Sequence, residues 1–309
     1  MRLRRILAAG VIAGAVAATT AFAFPSAPVD RSQPFPALTA PALASRYAAD
    51  SRLIAQDAGA AARAGDQGLA RSLDGLRGQQ FIDFNPAGPG RAVEVLGNLA
   101  RARRVVVLVP GSGTSLTTFA SRGTASPGGA ARALAAQVRS LHPGARLAII
   151  AWLGYATPDT ISPAIMSSGD ADQGAAALRS FVDHLAGSGR QVALICHSYG
   201  SAVCGRAAPG LPVTDIAVIG SPGMDAPSVS ALHTTARVWA GRGTGDWIRD
   251  VPHVQLAGLG FGQDPMDPAF GARIFAAGAG GHSSYFQPGG IALRNLARIA
   301  VGDPAAVTR

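Results

Sequence analysis

A serine between an apolar run and a small-residue segment is the first candidate for chemistry in this chain. Residues 192–201 have the sequence V-A-L-I-C-H-S-Y-G-S. The apolar run predicts a buried strand, and Gly200 lets a helix begin close to it, so that the sharp turn exposes the hydroxyl of Ser198. Cys196 stands where the G-x-S-x-G pattern has its first glycine. We expect Ser198 to be a nucleophile beside a helix N-terminus that favours developing negative charge.

A serine nucleophile also needs N–H donors for the oxyanion that forms when it attacks a carbonyl. Residues 109–115 read V-P-G-S-G-T-S and follow another apolar run. The turn after such a strand lies beside the serine turn, which predicts Ser112 as the preferred backbone donor, Gly113 as the second choice and Tyr199 as their complement. A phosphate cradle is the alternative for these glycines, but the lysine and spacing of a P-loop are missing.

Short apolar strands alternate with helices from about residue 80 onward. A hairpin is expected from 81–84 and 92–96, and further strands at 104–110, 146–152, 191–196, 215–219 and 236–240. Helices are expected at 128–141, 170–185 and 199–207, and near 268–277 and 289–301. Strands rich in Val, Ile and Leu, each followed by a helix, predict an α/β fold with a mostly parallel sheet covered on both faces.

The first 78 residues have a different composition. Residues 1–5 are basic, residues 6–18 form an uncharged run, and Ala21-Phe22-Ala23 supplies a small-x-small cleavage pattern. This order predicts a signal peptide over 1–23 and a secreted protein without integral membrane association, with an uncleaved anchor as the alternative. Residues 24–78 are rich in Pro and Ala, with helical patterns at 46–63 and 67–76 that predict an N-terminal helical appendage; a partly loose arm is the alternative. The catalytic domain is then expected over 79–309.

Six segments together resemble the α/β-hydrolase superfamily. They are V-L-V-P-G-S-G-T-S, A-W-L-G-Y, C-H-S-Y-G-S, I-G-S-P-G, F-G-Q-D-P and G-H-S-S-Y, and they span roughly residues 80–300. More closely, they are similar to a mostly secreted bacterial family of this superfamily that is classed as a domain of unknown function. The resemblance implies a hydrolase with a Ser-Asp-His triad, and it does not supply a substrate.

The base and the acid of such a triad follow from chain order, with serine first and histidine last. His282 lies in a glycine-rich loop before the last helix and is the expected base, with His253 as the alternative. Asp246 follows the strand at 236–240 and a glycine-rich turn, and is the expected acid. Asp225 and Asp250 remain open as alternatives, as does a helix-capping role for Asp246.

Cys196 and Cys204 are the chain's two cysteines. Cys196 lies about 6.6 Å down the strand from Ser198 at ~3.3 Å per residue. Cys204 lies about 7.5 Å down the following helix at ~1.5 Å per residue, so both are at nearly the same level. A disulfide is favoured slightly over two buried thiols in an oxidising compartment.

Composition excludes several kinds of chemistry. All 27 basic residues are arginine, and Glu94 is the single glutamate. Without lysine the chain cannot form a Schiff base or hold a P-loop lysine, and a paired-glutamate glycosidase is excluded. The net charge of +9 is scattered, which argues against nucleic-acid binding and leaves a weak attraction to anionic cell-surface polymers. No metal-binding motif appears, and no cofactor is expected.

A serine esterase acting on a small-molecule or lipid-like ester is therefore the leading functional prediction. Too few residues separate the strands that end near 220 and 240 for a large helical cap, which favours an open site over a lid-gated lipase. An amidase, a peptidase or an acyltransferase could use the same triad. A non-catalytic cell-surface binding protein on the same scaffold is the other alternative.

Overall fold

The N-terminal helices pack against one edge and one face of a central sheet. The computed structural model describes residues 33–119, 121, 123–158, 169–251, 255–256 and 259–309, so the expected signal peptide lies outside the described residues. Helix α1 covers Ala40–Arg63 and begins with Pro41 in its first turn, where a missing N–H is not costly. Helix α2 covers Gln67–Asp74, and the Asp66 side chain caps its N-terminus. The expected N-terminal helices are thus present.

An eight-stranded sheet forms the centre of the protein, in the order β1-β2-β4-β3-β5-β6-β7-β10. Strands β1, β2 and β4 pair antiparallel, and all later neighbours pair parallel. The strands are β1 Gln80–Asn85, β2 Arg91–Leu96, β3 Arg104–Val109, β4 Leu147–Leu153, β5 Gln191–His197, β6 Asp215–Ile219, β7 Arg237–Gly241 and β10 Arg273–Ile274. Two-residue strands β8 Gln255–Leu256 and β9 Leu259–Gly260 form a separate hairpin.

Helices cover both faces of this sheet, as the sequence predicts. The remaining helices are α3 Leu116–Phe119, α4 Pro127–Leu141, α5 Gly169–Gly187, α6 Gly200–Ala207 and α7 Ile291–Val301. Strand β3 shows the two-sided burial directly, because Val105 and Val107 join the core beneath α5 and α6 while Val106 and Leu108 join the core beneath α4 and α7. Period-two alternation within a fully apolar strand thus supplies both cores.

The prediction of a helix near 268–277 is wrong. One 3-10 turn, Pro268–Phe270, occupies its start, and Gly271 then takes a left-handed φ of 86° that ends the turn. The chain continues as β10, paired in parallel with β7. Apolar residues at 270, 274 and 275 imitate helical spacing here, but the glycine breaks the helix before a second turn can form.

A buried carboxylate links the starts of several strands, at the edge of the sheet opposite the serine turn. Asp215, at the start of β6, accepts hydrogen bonds from Arg104 at 2.6 Å, from Arg237 at 2.7 and 2.8 Å, and from the Trp239 indole at 3.0 Å. Burial by itself raises the pKa of Asp215, but these hydrogen bonds outweigh burial and lower it. The carboxylate therefore stays ionised and holds the starts of β3, β6 and β7 in register.

Candidate active site

Ser198 occupies a strained turn between β5 and α6. Its φ is 54°, a left-handed conformation that non-glycine residues adopt rarely, and its N–H donates to the carbonyl of Ile219 at 3.0 Å. A Cβ added at Gly200 would lie 2.6 Å from the carbonyl oxygen of Pro110. A glycine is therefore required at position 200, because it lets α6 begin directly against the end of β3.

Ser198, His282 and Asp246 lie in one chain of hydrogen bonds. His282 Nε2 is 2.9 Å from Ser198 Oγ. His282 Nδ1 is 2.9 Å from Asp246 Oδ1 and 3.1 Å from Asp246 Oδ2. The three side chains come from the turns after β5 and β7 and from the loop before α7, so one edge of the sheet brings them together. This is the geometry in which a base can take the serine proton while a carboxylate orients the imidazole.

The Asp246 carboxylate is buried and has several further donors. Its Oδ1 accepts the N–H of Ile248 at 2.9 Å, and its Oδ2 accepts the hydroxyl of Tyr285. Burial tends to raise the pKa of Asp246, but hydrogen bonds from His282, Tyr285 and Ile248 lower it below its usual value. The capping bond to Ile248 shows that Asp246 begins a 3-10 turn and faces His282 at the same time. Asp246 is thus held ionised beside the imidazole.

The structure places the two alternative acids in other ion pairs, and it does not describe the alternative base. Asp225 forms an ion pair with Arg206 at 2.7 Å. Asp250 is exposed and pairs with Arg249 at 3.5 Å. His253 lies outside the described residues.

The loop after β3 lies against the serine turn, as expected for an oxyanion site, and a neighbouring loop braces it. Ser112 and Tyr199 both border the cavity at Ser198. The Gly113 N–H instead donates to the carbonyl of Pro158 at 2.8 Å, so this amide is already occupied by protein. The Tyr155 hydroxyl also donates to the carbonyl of Pro110 at 2.8 Å. Ser112 therefore fits an oxyanion better than Gly113 does.

Three residues around His282 and Asp246 were given no part in the triad by sequence reasoning. His197 Nε2 bonds to the His282 carbonyl at 2.8 Å, and burial, followed by the nearby His282, lowers the pKa of His197 to about 4. His197 is therefore neutral at neutral pH, and its N–H donates to that carbonyl. The exposed Trp247 ring lies 4.7 Å from the His282 ring, and Tyr285 bonds to Asp246. The sequence held a weak signal for all three, because His197 and Trp247 each adjoin a triad candidate and Tyr285 lies three residues after one.

Cys196 and Cys204 form a disulfide, as the sequence slightly favours. Their Cα atoms are 6.5 Å apart, and both side chains are fully buried. The bond joins Cys196, the last residue but one of β5, to Cys204 in α6. It therefore links the two elements between which Ser198 is held.

A cavity of about 370 Å³ opens at Ser198. Within the described residues, no group of three His, Cys, Asp or Glu side chains is arranged to hold a metal ion. None of the helices in the described part of the chain has the length and hydropathy to cross a bilayer.

Comparison with known proteins gives a family and several distant likenesses. A family model described as "Alpha/beta hydrolase" matches residues 85–256. "Uncharacterized protein Rv2079" of Mycobacterium tuberculosis is 32% identical over 249 residues, which cover 70% of this chain and 37% of that protein. "Uncharacterized protein Rv0963c" of the same species is 32% identical over 145 residues, which cover 44% of this chain and 54% of that protein. The chain therefore matches between about a third and about half of the length of these relatives.

Solved structures show the same kind of distant likeness. The crystal structure of esterase PE8 has a TM-score of 0.46 and 17% identity, covering 66% of this chain and 95% of that one. XC6422 from Xanthomonas campestris, described as an a/b serine hydrolase without lid, has a TM-score of 0.43 and 14% identity, covering 72% of this chain and 92% of that one.

Proposed function

This chain belongs to the alpha/beta hydrolase family, and from that premise we propose that it is a secreted serine hydrolase that cleaves carboxylic esters. The observation that carries the proposal is the continuous hydrogen-bonded chain from Ser198 Oγ through His282 to Asp246, with 2.9 Å at each closest step. A serine held at φ 54° at the mouth of a cavity adds to it.

The proposed reaction has two halves. His282 Nε2 takes the Ser198 proton while Oγ forms a bond to the ester carbonyl carbon, and the N–H groups of Ser112 and Tyr199 stabilise the oxyanion. When the tetrahedral intermediate collapses, the C–O bond to the alcohol breaks and His282 returns the proton to the departing oxygen. Water then attacks the acyl-enzyme with His282 again as base, which releases the acid and restores Ser198. Asp246 stabilises the imidazolium in both halves.

The shape of the site supports an ester of a small or lipid-like molecule. Residues 220–236, all of them described, contain a single 3-10 turn, Ser230–Leu232, in place of a helical cap. Without a helical cap from residues 220–236, the site admits varied alcohols, and an ester needs less help with its leaving group than an amide does. The exposed Trp247 beside His282 gives the entrance an apolar surface for such a substrate.

Secretion is the second part of the proposal. Residues 1–23 have the order of a signal peptide, and a buried disulfide favours an oxidising compartment. N-terminal sequencing of protein recovered from the medium of an expressing bacterium tests this part. We expect a mature protein that begins at Phe24, and an intact N-terminus on cell-retained protein would contradict it.

A matched pair of alanine variants tests the chemistry. Ser198→Ala should lower kcat for p-nitrophenyl acetate by more than about a thousandfold. Ser201→Ala provides the control, since Ser201 is a fully buried serine, the second residue of α6, whose hydroxyl donates to the Cys196 carbonyl at 3.4 Å. It should retain most of the activity. Equal activity of the two variants would contradict the proposal, and faster hydrolysis of the matching anilide than of the ester would favour an amidase.

A further inference from the structure

The cavity beside Ser198 is lined in part by side chains of the hydrophobic core under α4 and α7. Leu108, Ala130, Ile195 and Phe286 line it and belong to the hydrophobic core on that face of the sheet. These four residues form the cavity floor, and each is at least nine-tenths buried. A chain attached to Ser198 Oγ that enters the cavity therefore meets hydrocarbon.

Three of the hydroxyl groups in the cavity wall donate to backbone carbonyls. Thr114 Oγ1 donates to Gly111 at 3.0 Å, Thr118 Oγ1 donates to Ser115 at 3.2 Å, and Ser126 Oγ donates to Ser121 at 2.6 Å. Because each proton is already bonded within the protein, these side chains offer a ligand mainly their methyl and methylene groups. The wall is consequently less polar than its residue types indicate.

The described residues that line this cavity also bring no fixed charge to it. No Arg, Asp or Glu lines it among the described residues. His197 lines it but is neutral at neutral pH, because burial and then the nearby His282 lower its pKa to about 4. A carboxylate on the ligand would lose water without gaining a cation, which is costly. A volume of about 370 Å³ is at the small end of the ~300–1,000 Å³ range of ligand sites.

We propose that this cavity is an acyl site for an uncharged aliphatic chain of short to medium length, and that Ala130 on its floor sets the chain length. The inference rests on the proposed ester hydrolysis and specifies which part of the ester enters the cavity. The acyl chain lies on the floor, and the alcohol lies toward Trp247 and solvent. Ala130 is the smallest floor residue, so the space above its methyl group is the space that a longer chain would fill.

A chain-length series tests the assignment. With p-nitrophenyl acetate, butanoate, hexanoate and octanoate, kcat/KM should rise by about fourfold per buried methylene until the cavity is full, and then stop rising. In Ala130→Leu, the ratio of kcat/KM for hexanoate to kcat/KM for acetate should fall by more than about tenfold. Ala136→Leu is the matched control, because Ala136 is exposed on the same helix and does not line the cavity.

Wild-type protein gives a second test that does not depend on a variant's folding. p-Nitrophenyl pentanoate should be hydrolysed at least about thirtyfold more efficiently than the chain-matched glutaric acid monoester, which ends in a carboxylate. Equal rates for these two esters, or an Ala130→Leu profile identical to wild type, would overturn the acyl-site proposal. Failure to hydrolyse any ester, acetate included, would instead contradict the proposed function itself.

Discussion

Breaking the Cys196–Cys204 disulfide should lower stability by an amount that follows from its loop length. The cysteines are eight positions apart in sequence. Closing a loop of about nine residues in the unfolded chain corresponds to roughly 2–3 kcal/mol. For 309 residues, an unfolding entropy of ~2.1 cal/mol/K per residue gives about 0.65 kcal/mol/K, so Tm should fall by about 4 °C.

The assay is thermal unfolding of wild-type protein with and without a phosphine reductant, followed by thiol counting after denaturation. The reduced protein should show two thiols and the lower Tm. The double variant Cys196→Ala/Cys204→Ala is the control, and its Tm should not respond to reductant. Two free thiols in denatured, unreduced protein would refute the disulfide. An unchanged Tm after verified reduction would refute the loop argument.

Five further substitutions probe the site and the core. His282→Ala and Asp246→Asn should each lower kcat for p-nitrophenyl acetate by more than about a hundredfold, whereas Asp250→Asn, on an exposed carboxylate, should leave it nearly unchanged. Gly220→Ala should lower both kcat and Tm, because its φ is 53° and its Cβ would lie 2.9 Å from Asp246 Oδ2; wild-type kinetics would contradict that clash. Burial raises the pKa of Asp50 from its ordinary 3.8 to about 7, so wild-type stability should fall as pH rises from about 4 to about 7 and stay level above that. Asp50→Asn should therefore gain in Tm relative to wild type from about pH 4 to about pH 7, and a constant difference over this interval would contradict this.

Chain order and strand spacing were enough to predict where the site groups would meet. Ser198 and Asp246 each follow a predicted strand, and His282 lies in the loop before a predicted helix. Parallel strands place their carboxyl ends at one edge of the sheet, so residues far apart in sequence converge there. The disulfide could be predicted for a similar reason, since rise per residue puts both cysteines at one level.

Side-chain direction was the part that sequence could not supply. The bond from Tyr285 to Asp246 depends on the rotamers of both residues and on the path of the loop before α7. The bond from His197 to the His282 carbonyl likewise depends on how that loop folds back. The error near 268–277 has a local cause, because one left-handed glycine at 271 overrides an apolar spacing that fits a helix.

Covalent labelling of the nucleophile tests the central claim most directly. A fluorophosphonate should react once with wild-type protein, abolish ester hydrolysis and appear by peptide mass mapping on Ser198. Ser198→Ala should not be labelled, and Ser201→Ala should be labelled like wild type. Label on another residue, or full esterase activity in protein that the reagent does not modify, would contradict the assignment of Ser198 as the nucleophile.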